Sequence, residues 1–200
     1  MNGNTKGCSK PELLLNALQL ITGHYPFPGH GRSTEFVFTK DKYEPVTENS
    51  PMFAIDCEWC LCVDGDSYVK RFCRTITNYV ILLGSNGLAR VAIVDENLDP
   101  VYHAYVHPDK PIRDYATKWS GITPELLRGV QKKLCHVQQD IRKLLPPDAI
   151  LVGHSLCGDL LALEVKRRKA FVLRIWNIVN FCISSFLVIP SIHYRFVRNL

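Results

Sequence analysis

Beyond Asp159 the sequence contains no further aspartate, and Glu164 is the only acid that follows it. Any chemistry that needs several carboxylates must therefore be assembled from residues up to 164. An apolar leader is also missing, because residues 1–10 are polar; this argues against secretion and predicts that the eight cysteines are reduced thiols. No uninterrupted apolar run reaches the roughly 18 residues of a membrane-crossing helix. Residues 175–189 come nearest and fall short. Internal repeats and low-complexity tracts are absent. Cys57 and Cys60 form a C-x-x-C with no second pair at zinc spacing, and on a strand they point to opposite faces, so zinc is not expected.

What is present suits one domain of ordinary size: 200 residues, of which 46% are hydrophobic, enough to build a core. The net charge of +5 permits an anionic partner such as RNA, although much of the excess lies in the last segment.

Asp56 and Glu58 stand two residues apart in the apolar, strand-like run Phe53-Ala54-Ile55-Asp56-Cys57-Glu58-Trp59-Cys60-Leu61. Side chains at i and i+2 of a strand share a face, so both carboxylates point the same way and repel. A divalent cation between them or a shared proton relieves that repulsion; a solvated strand end is the plain alternative. Further along, the apolar run 149–152 meets Gly153-His154-Ser155 and then Leu156-Cys157-Gly158-Asp159-Leu160-Leu161, which reads as strand, turn and helix. Asp159 falls in the first turn of that helix, where the helix dipole alone favours a carboxylate.

Taken together, Phe53 to Leu61, Val152-Gly153-His154-Ser155-Leu156 and Asp159 resemble the first two motifs of the DEDD superfamily of 3′→5′ exonucleases. The wording is similar to the eukaryotic RNA exonuclease branch with a catalytic histidine, the DEDDh type. The resemblance continues through residues 88–95 and 101–108, similar to that branch's second and third strands, and through Trp119-Ser120-Gly121-Ile122-Thr123, similar to its loop before the first long helix. Thr123-Pro124-Glu125 also reads independently as a helix N-cap followed by proline.

The resemblance implies an α/β, ribonuclease H-like exonuclease fold: a mixed sheet whose first three strands are antiparallel, then a helix, a parallel strand at Ile150 and Asp159 on the next helix. It implies Asp56, Glu58 and Asp159 as catalytic metal ligands for two Mg²⁺ or Mn²⁺ ions. Cys57, Trp59 and His154 would line the substrate, a single-stranded RNA 3′ end, and the nucleus would be the location. An aromatic such as Trp59 on a sheet face is also an ordinary core residue.

The branch carries a third motif with a histidine general base and an aspartate five residues later. Here His193 is the only histidine beyond Asp159 and is followed by Arg198; Tyr194, the counterpart in the sister branch, is followed by the same Arg198. A missing general base costs about two to four orders of magnitude in rate. Weak or absent turnover is therefore expected, with a noncatalytic RNA- or metal-binding remnant or an altered splice product as the alternative.

The expected organisation is a helix and extended lead-in over residues 1–51, an exonuclease-like domain over 52–165 and a basic, apolar tail over 166–200. The helix is expected at residues 11–22, stopped by Gly23. An insertion occupies about 62–87, with a strand near 79–83 and Asn86-Gly87 as a hairpin turn; Lys70, Arg71 and Arg74 within it suit a solvated loop or a nucleic-acid contact. Lys166-Arg167-Arg168-Lys169 reads as a basic run, the positive flank of an anchor or a nuclear targeting signal. Residues 170–190 read as a core helix or strand, a non-native terminus or, least well, a membrane anchor.

Overall fold

The computed structural model describes residues 9–26, 36–63, 72–74, 80–82, 86–167 and 172–174. In chain order it contains a 3-10 turn (Lys10–Leu13), α1 (Ala17–Thr22), β1 (Val37–Phe38), β2 (Met52–Cys62), β3 (Phe72–Arg74), β4 (Val80–Leu82) and β5 (Asn86–Asp95). There follow β6 (Pro100–Tyr105), β7 (Ile112–Asp114), α2 (Thr117–Ser120), α3 (Pro124–Leu127), α4 (Leu134–Leu144), β8 (Ile150–Gly153), α5 (Cys157–Ala162), β9 (Val165–Lys166) and β10 (Val172–Arg174).

The main sheet has the order β10-β8-β2-β5-β6, with β7 added beside β2. β2, β5 and β6 are antiparallel neighbours, whereas β8 runs parallel to β2 and β10 parallel to β8. This is the mixed sheet that the sequence predicts. β10 also places part of the tail in the sheet.

Alternation along β2 sorts its side chains. Phe53, Ile55 and Cys57 join Val91 and Ile93 of β5, Val137 and Ile141 of α4 and Leu160 of α5 in the largest core cluster. On the opposite face Met52 packs with Ile150 and Val152 of β8, beside Leu13, Leu14 and Val46 of the lead-in. β8 is buried throughout, as befits a central parallel strand covered on both faces.

Several local expectations need correction. The single helix over 11–22 is two pieces, because Asn16 caps a new start: Gln19 N–H donates to Asn16 Oδ1 and Asn16 N–H to Gln19 Oε1, both at 2.9 Å. Asn86-Gly87 is not a turn but the beginning of β5, opposite Leu61 and Cys60. Glycine is required there for space, since a Cβ at Gly87 would lie 2.7 Å from Cys62 Sγ and 2.6 Å from Pro108 Cβ. The insertion does form its own pairing, β3 with β4; the side chains of Lys70, Arg71 and Arg74 lie outside the described residues. Thr123 caps α3 as predicted, its hydroxyl accepting from Leu126 N–H at 3.4 Å, but α3 is a single turn and the long helix is α4.

The lead-in is bound into the domain. β1 pairs in parallel with β9, and Lys166 and Arg167 sit over the rings of Phe38 and Tyr43, at 4.7 and 5.1 Å from the ring centroids. Arg142 of α4 bonds the Phe38 carbonyl and pairs with Asp41 at 2.8 Å. Lys166 and Arg167, the first two charges of the basic run, are consequently buried. Among the described residues no helix is long and apolar enough to cross a membrane; residues 175–200, where the anchor and the third motif were sought, lie outside them.

Candidate active site

β5 occupies one edge of β2 along nearly its whole length. The other edge is shared: β8 covers Met52 to Ala54 and β7 covers Leu61 and Cys62. Between them, no strand among the described residues pairs with residues 55–60 on that side. The notch exists because β8 stops at Gly153 and the chain turns into α5. A Cβ at Gly153 would stand 3.1 Å from the Ile55 carbonyl and 3.0 Å from Leu156 Cδ1, so a side chain there would be tightly crowded. Ser155 follows with φ 55°, a left-handed conformation that costs about 1–3 kcal/mol in a non-glycine residue.

Asp56 and Glu58 lie in this stretch on one face, both half-buried. On that same face they are preceded by Met52 and Ala54 and followed by Cys60 and Cys62, which pack into two separate apolar clusters. The turn from β8 brings Asp159 of α5 to the open edge, where its Oδ1 accepts the backbone N–H of Cys57 at 2.8 Å. Asp159 thus supplies the acceptor that a neighbouring strand would have supplied, and it is itself buried.

The three acids act on one another. Burial, and then the charge of Asp56, push Glu58 up to about 7, against the opposing pull of Arg90. Burial and Asp56 likewise hold Asp159 well above the usual carboxylate range, with the Cys57 N–H working the other way. The Cys57 thiol is raised by its own burial and by Asp159. This is the electrostatic signature of crowded negative charge, which a proton or a cation would relieve.

Three carboxylates form an oxygen-only donor set, the chemistry that suits Mg²⁺ or Mn²⁺. The set fits such an ion in donor type and in its unrelieved repulsion. As the side chains stand, however, no three acidic, histidine or cysteine groups among the described residues are gathered to hold a metal; Asp159 is turned to the Cys57 amide instead.

The other residues singled out in the sequence are placed as follows. Trp59 is partly buried against the largest core cluster, near Gly158 of α5. His154 is exposed in the turn between β8 and α5. Cys57 and Cys60 fall in different clusters on opposite faces of β2. Sequence reading missed Arg90, which is 8% exposed and directly across from Glu58; a lone arginine in an apolar strand was the available signal.

The exonuclease family profile matches residues 87–175, a span that includes Asp159 and begins beyond Asp56 and Glu58. RNA exonuclease 5 of Macaca fascicularis is 37% identical over 162 residues, which cover 80% of this chain and 18% of that protein. RNA exonuclease 5 of Bos taurus is 40% identical over 152 residues, covering 76% and 17%. Among solved structures, the Pan2 pseudoubiquitin hydrolase-RNA exonuclease module of Saccharomyces cerevisiae, in complex with AACCAA RNA, matches with a TM-score of 0.47 at 22% identity, covering 68% of this chain and 24% of that one. The chain therefore spans less than a fifth of the length of these curated relatives. Enzymes of the matched family generally use divalent metal ions. Residues 87–175 thus carry an exonuclease-family domain, and the chain is related in sequence to the DEDD-type RNA exonucleases.

Proposed function

We propose that this chain is a metal-dependent 3′→5′ RNA exonuclease family member, directed at phosphodiester bonds at single-stranded RNA 3′ ends, with weak or absent turnover in the form described. The observation that carries the reading is the notch in β2: Asp56 and Glu58 share its open stretch, and Asp159 is bonded to the amide of the residue between them. Asp56, Glu58 and Asp159 are the proposed ligands, for Mg²⁺ or Mn²⁺. Two such ions would supply an activated water and neutralise charge on the phosphate and leaving oxygen. The protein's own part is to hold three carboxylates at an edge that no strand among the described residues covers, where a chain end can enter. His154, exposed in the turn between β8 and α5, the main chain of Cys57 between the two carboxylates, and Trp59 are the proposed substrate contacts.

The reduced turnover is proposed only for residues 1–200 as they stand, within which no aspartate follows Asp159 and His193 is followed five residues later by Arg198. The same fact favours a second reading, a noncatalytic domain that binds RNA or metal through its remaining carboxylates. A nuclear location belongs to the proposal as well, though not by way of residues 166–169, because two of those four charges are buried.

The test is degradation of 3′-labelled and 5′-labelled single-stranded RNA with Mg²⁺ or Mn²⁺, comparing the chain with its Asp56→Asn variant. Stepwise shortening from the 3′ end that the substitution abolishes supports catalysis at this site. Equal loss of RNA in both preparations assigns the activity to a contaminant, and RNA binding without shortening leaves the noncatalytic reading.

A further inference from the structure

Arg90 shares the face of the sheet that carries the carboxylates. The register sets it opposite Glu58 on one side and Tyr105 on the other, while Ala92, two residues on, stands between Asp56 and His103. The pairing slips immediately after Glu58: Trp59 is opposite Leu88, so Ala89 is an extra residue on β5. Such a bulge re-aims the side chains beside it and is frequent next to active sites. Ala89 itself is fully buried among Cys60, Cys62, Ile122 and Leu127.

The consequence for Arg90 is a buried guanidinium whose Nη2 has no hydrogen-bond partner. Burying such a group unpaired is strongly unfavourable. The side chains that face it from the adjoining strands are Glu58 and, diagonally, Asp56 on β2, with Tyr105 and His103 on β6. Of these, Glu58 is the carboxylate directly across, at the cross-strand Cβ separation of about 4.5–5.5 Å. Arg90 already acts on both neighbours through its charge, holding Glu58 lower than burial and Asp56 would leave it, and adding to the effect of burial in lowering His103.

We propose that Arg90 is the positioning residue of the carboxylate site: set behind Glu58 by the bulge at Ala89, its guanidinium fixes the Glu58 carboxylate against repulsion from Asp56, with Nη2 as the donor kept for that carboxylate. It is a positioning residue and not a catalytic one, because it acts through the Glu58 carboxylate opposite it and its Nη2 is buried. The assignment rests on the carboxylate site proposed above.

The sign of one measurement separates positioning from mere charge. A nearby positive charge repels a metal ion, so deleting it should tighten metal binding, whereas deleting a group that fixes a ligand should loosen it. Mn²⁺ binding to the full chain, followed by the electron paramagnetic resonance of free Mn²⁺, would be compared for wild type, Arg90→Lys, Arg90→Gln, Glu58→Gln and the double variant Glu58→Gln/Arg90→Gln. Removal of a group that orients a ligand typically weakens metal binding about 10–100-fold. Arg90→Gln and Arg90→Lys are both expected to do so, the lysine because it lacks the planar fork, and Arg90→Gln should change nothing further once Glu58→Gln is present. Tighter binding in Arg90→Gln, or an equal loss with and without Glu58→Gln, overturns the proposal. If the wild-type chain binds no Mn²⁺, the metal reading fails by itself, and urea denaturation of the same four Arg90/Glu58 combinations decides for Arg90. Non-additive stability changes uphold the pairing and additive ones overturn it.

Discussion

The two faces of β2 begin alike and diverge within four residues. On one, Phe53, Ile55 and Cys57 continue an apolar stripe closed over by α4 and α5. On the other, Met52 and Ala54 give way to Asp56 and Glu58 before the apolar character returns at Cys60 and Cys62. Both faces obey the same two-residue period. The apolar face is what keeps the strand in register, which allows the other to hold like charges side by side at a position that packing alone would not choose.

The largest effect that could break this comparison lies on the apolar face. Ile55→Ala removes a side chain that is 3% exposed in the main core, and a loss of about 2–5 kcal/mol is expected from lost burial and the cavity left behind. Urea denaturation should record it. A loss below about 1 kcal/mol would mean that the face does not carry the register.

The open edge between the two faces is sharpened by Asp159. Asp159→Ala leaves the Cys57 N–H without an acceptor in a buried position, a cost of about 1–3 kcal/mol. Asp159→Asn retains an acceptor oxygen, and because burial already drives this carboxyl toward its neutral form, stability is expected to hold or rise. Thermal melts of the two variants therefore separate the edge-capping role from any chemical one. Equal destabilisation by both would show that charge, not the hydrogen bond, holds the edge.

The smallest effect tests a charged contact remote from the β2 carboxylates. Asp140 of α4 accepts from Tyr102 of β6 at 2.7 Å and from Lys132 at 2.6 Å, and these bonds hold its carboxyl below the ordinary value. A depressed carboxyl contributes stability that is fully present above the usual carboxylate range and is lost as pH falls through it. Wild type should therefore lose slightly more stability than Asp140→Asn on acidification below about pH 4, where an aspartate normally titrates. Because the side chain is well solvated, the difference is expected to be small; chemical denaturation at several pH values would measure it, and identical acid profiles would remove Asp140 from the account.

Much of the site was legible because it is local. The two-residue spacing of Asp56 and Glu58 sets their common face, and the Gly153 turn brings Asp159 to their strand. Thr123 and Pro124 mark a helix start by short-range bonding alone. The features that escaped depend on partners far away in sequence. Gly87 looks like a turn residue until Pro108 and Cys62 are seen to crowd it. Arg90 acquires meaning only from its register with Glu58, and that register depends on a bulge that no pattern in residues 86–95 announces. Lys166 and Arg167 read only as part of a basic run because nothing nearby reveals that Phe38 and Tyr43 will cover them.

That last contact also bears on the order in which the domain assembles. During synthesis the lead-in emerges early, with the rings of Phe38 and Tyr43 uncovered and the N–H of Val37 awaiting the carbonyl of Glu164 at the other end of the domain. Closing so long a loop carries its entropic cost before any contact rewards it, so the β1–β9 seam forms late, over a sheet already paired. The domain therefore fastens like a belt, with its buckle where β1 of the lead-in meets β9, and loosening either strand should release the other before the sheet itself gives way.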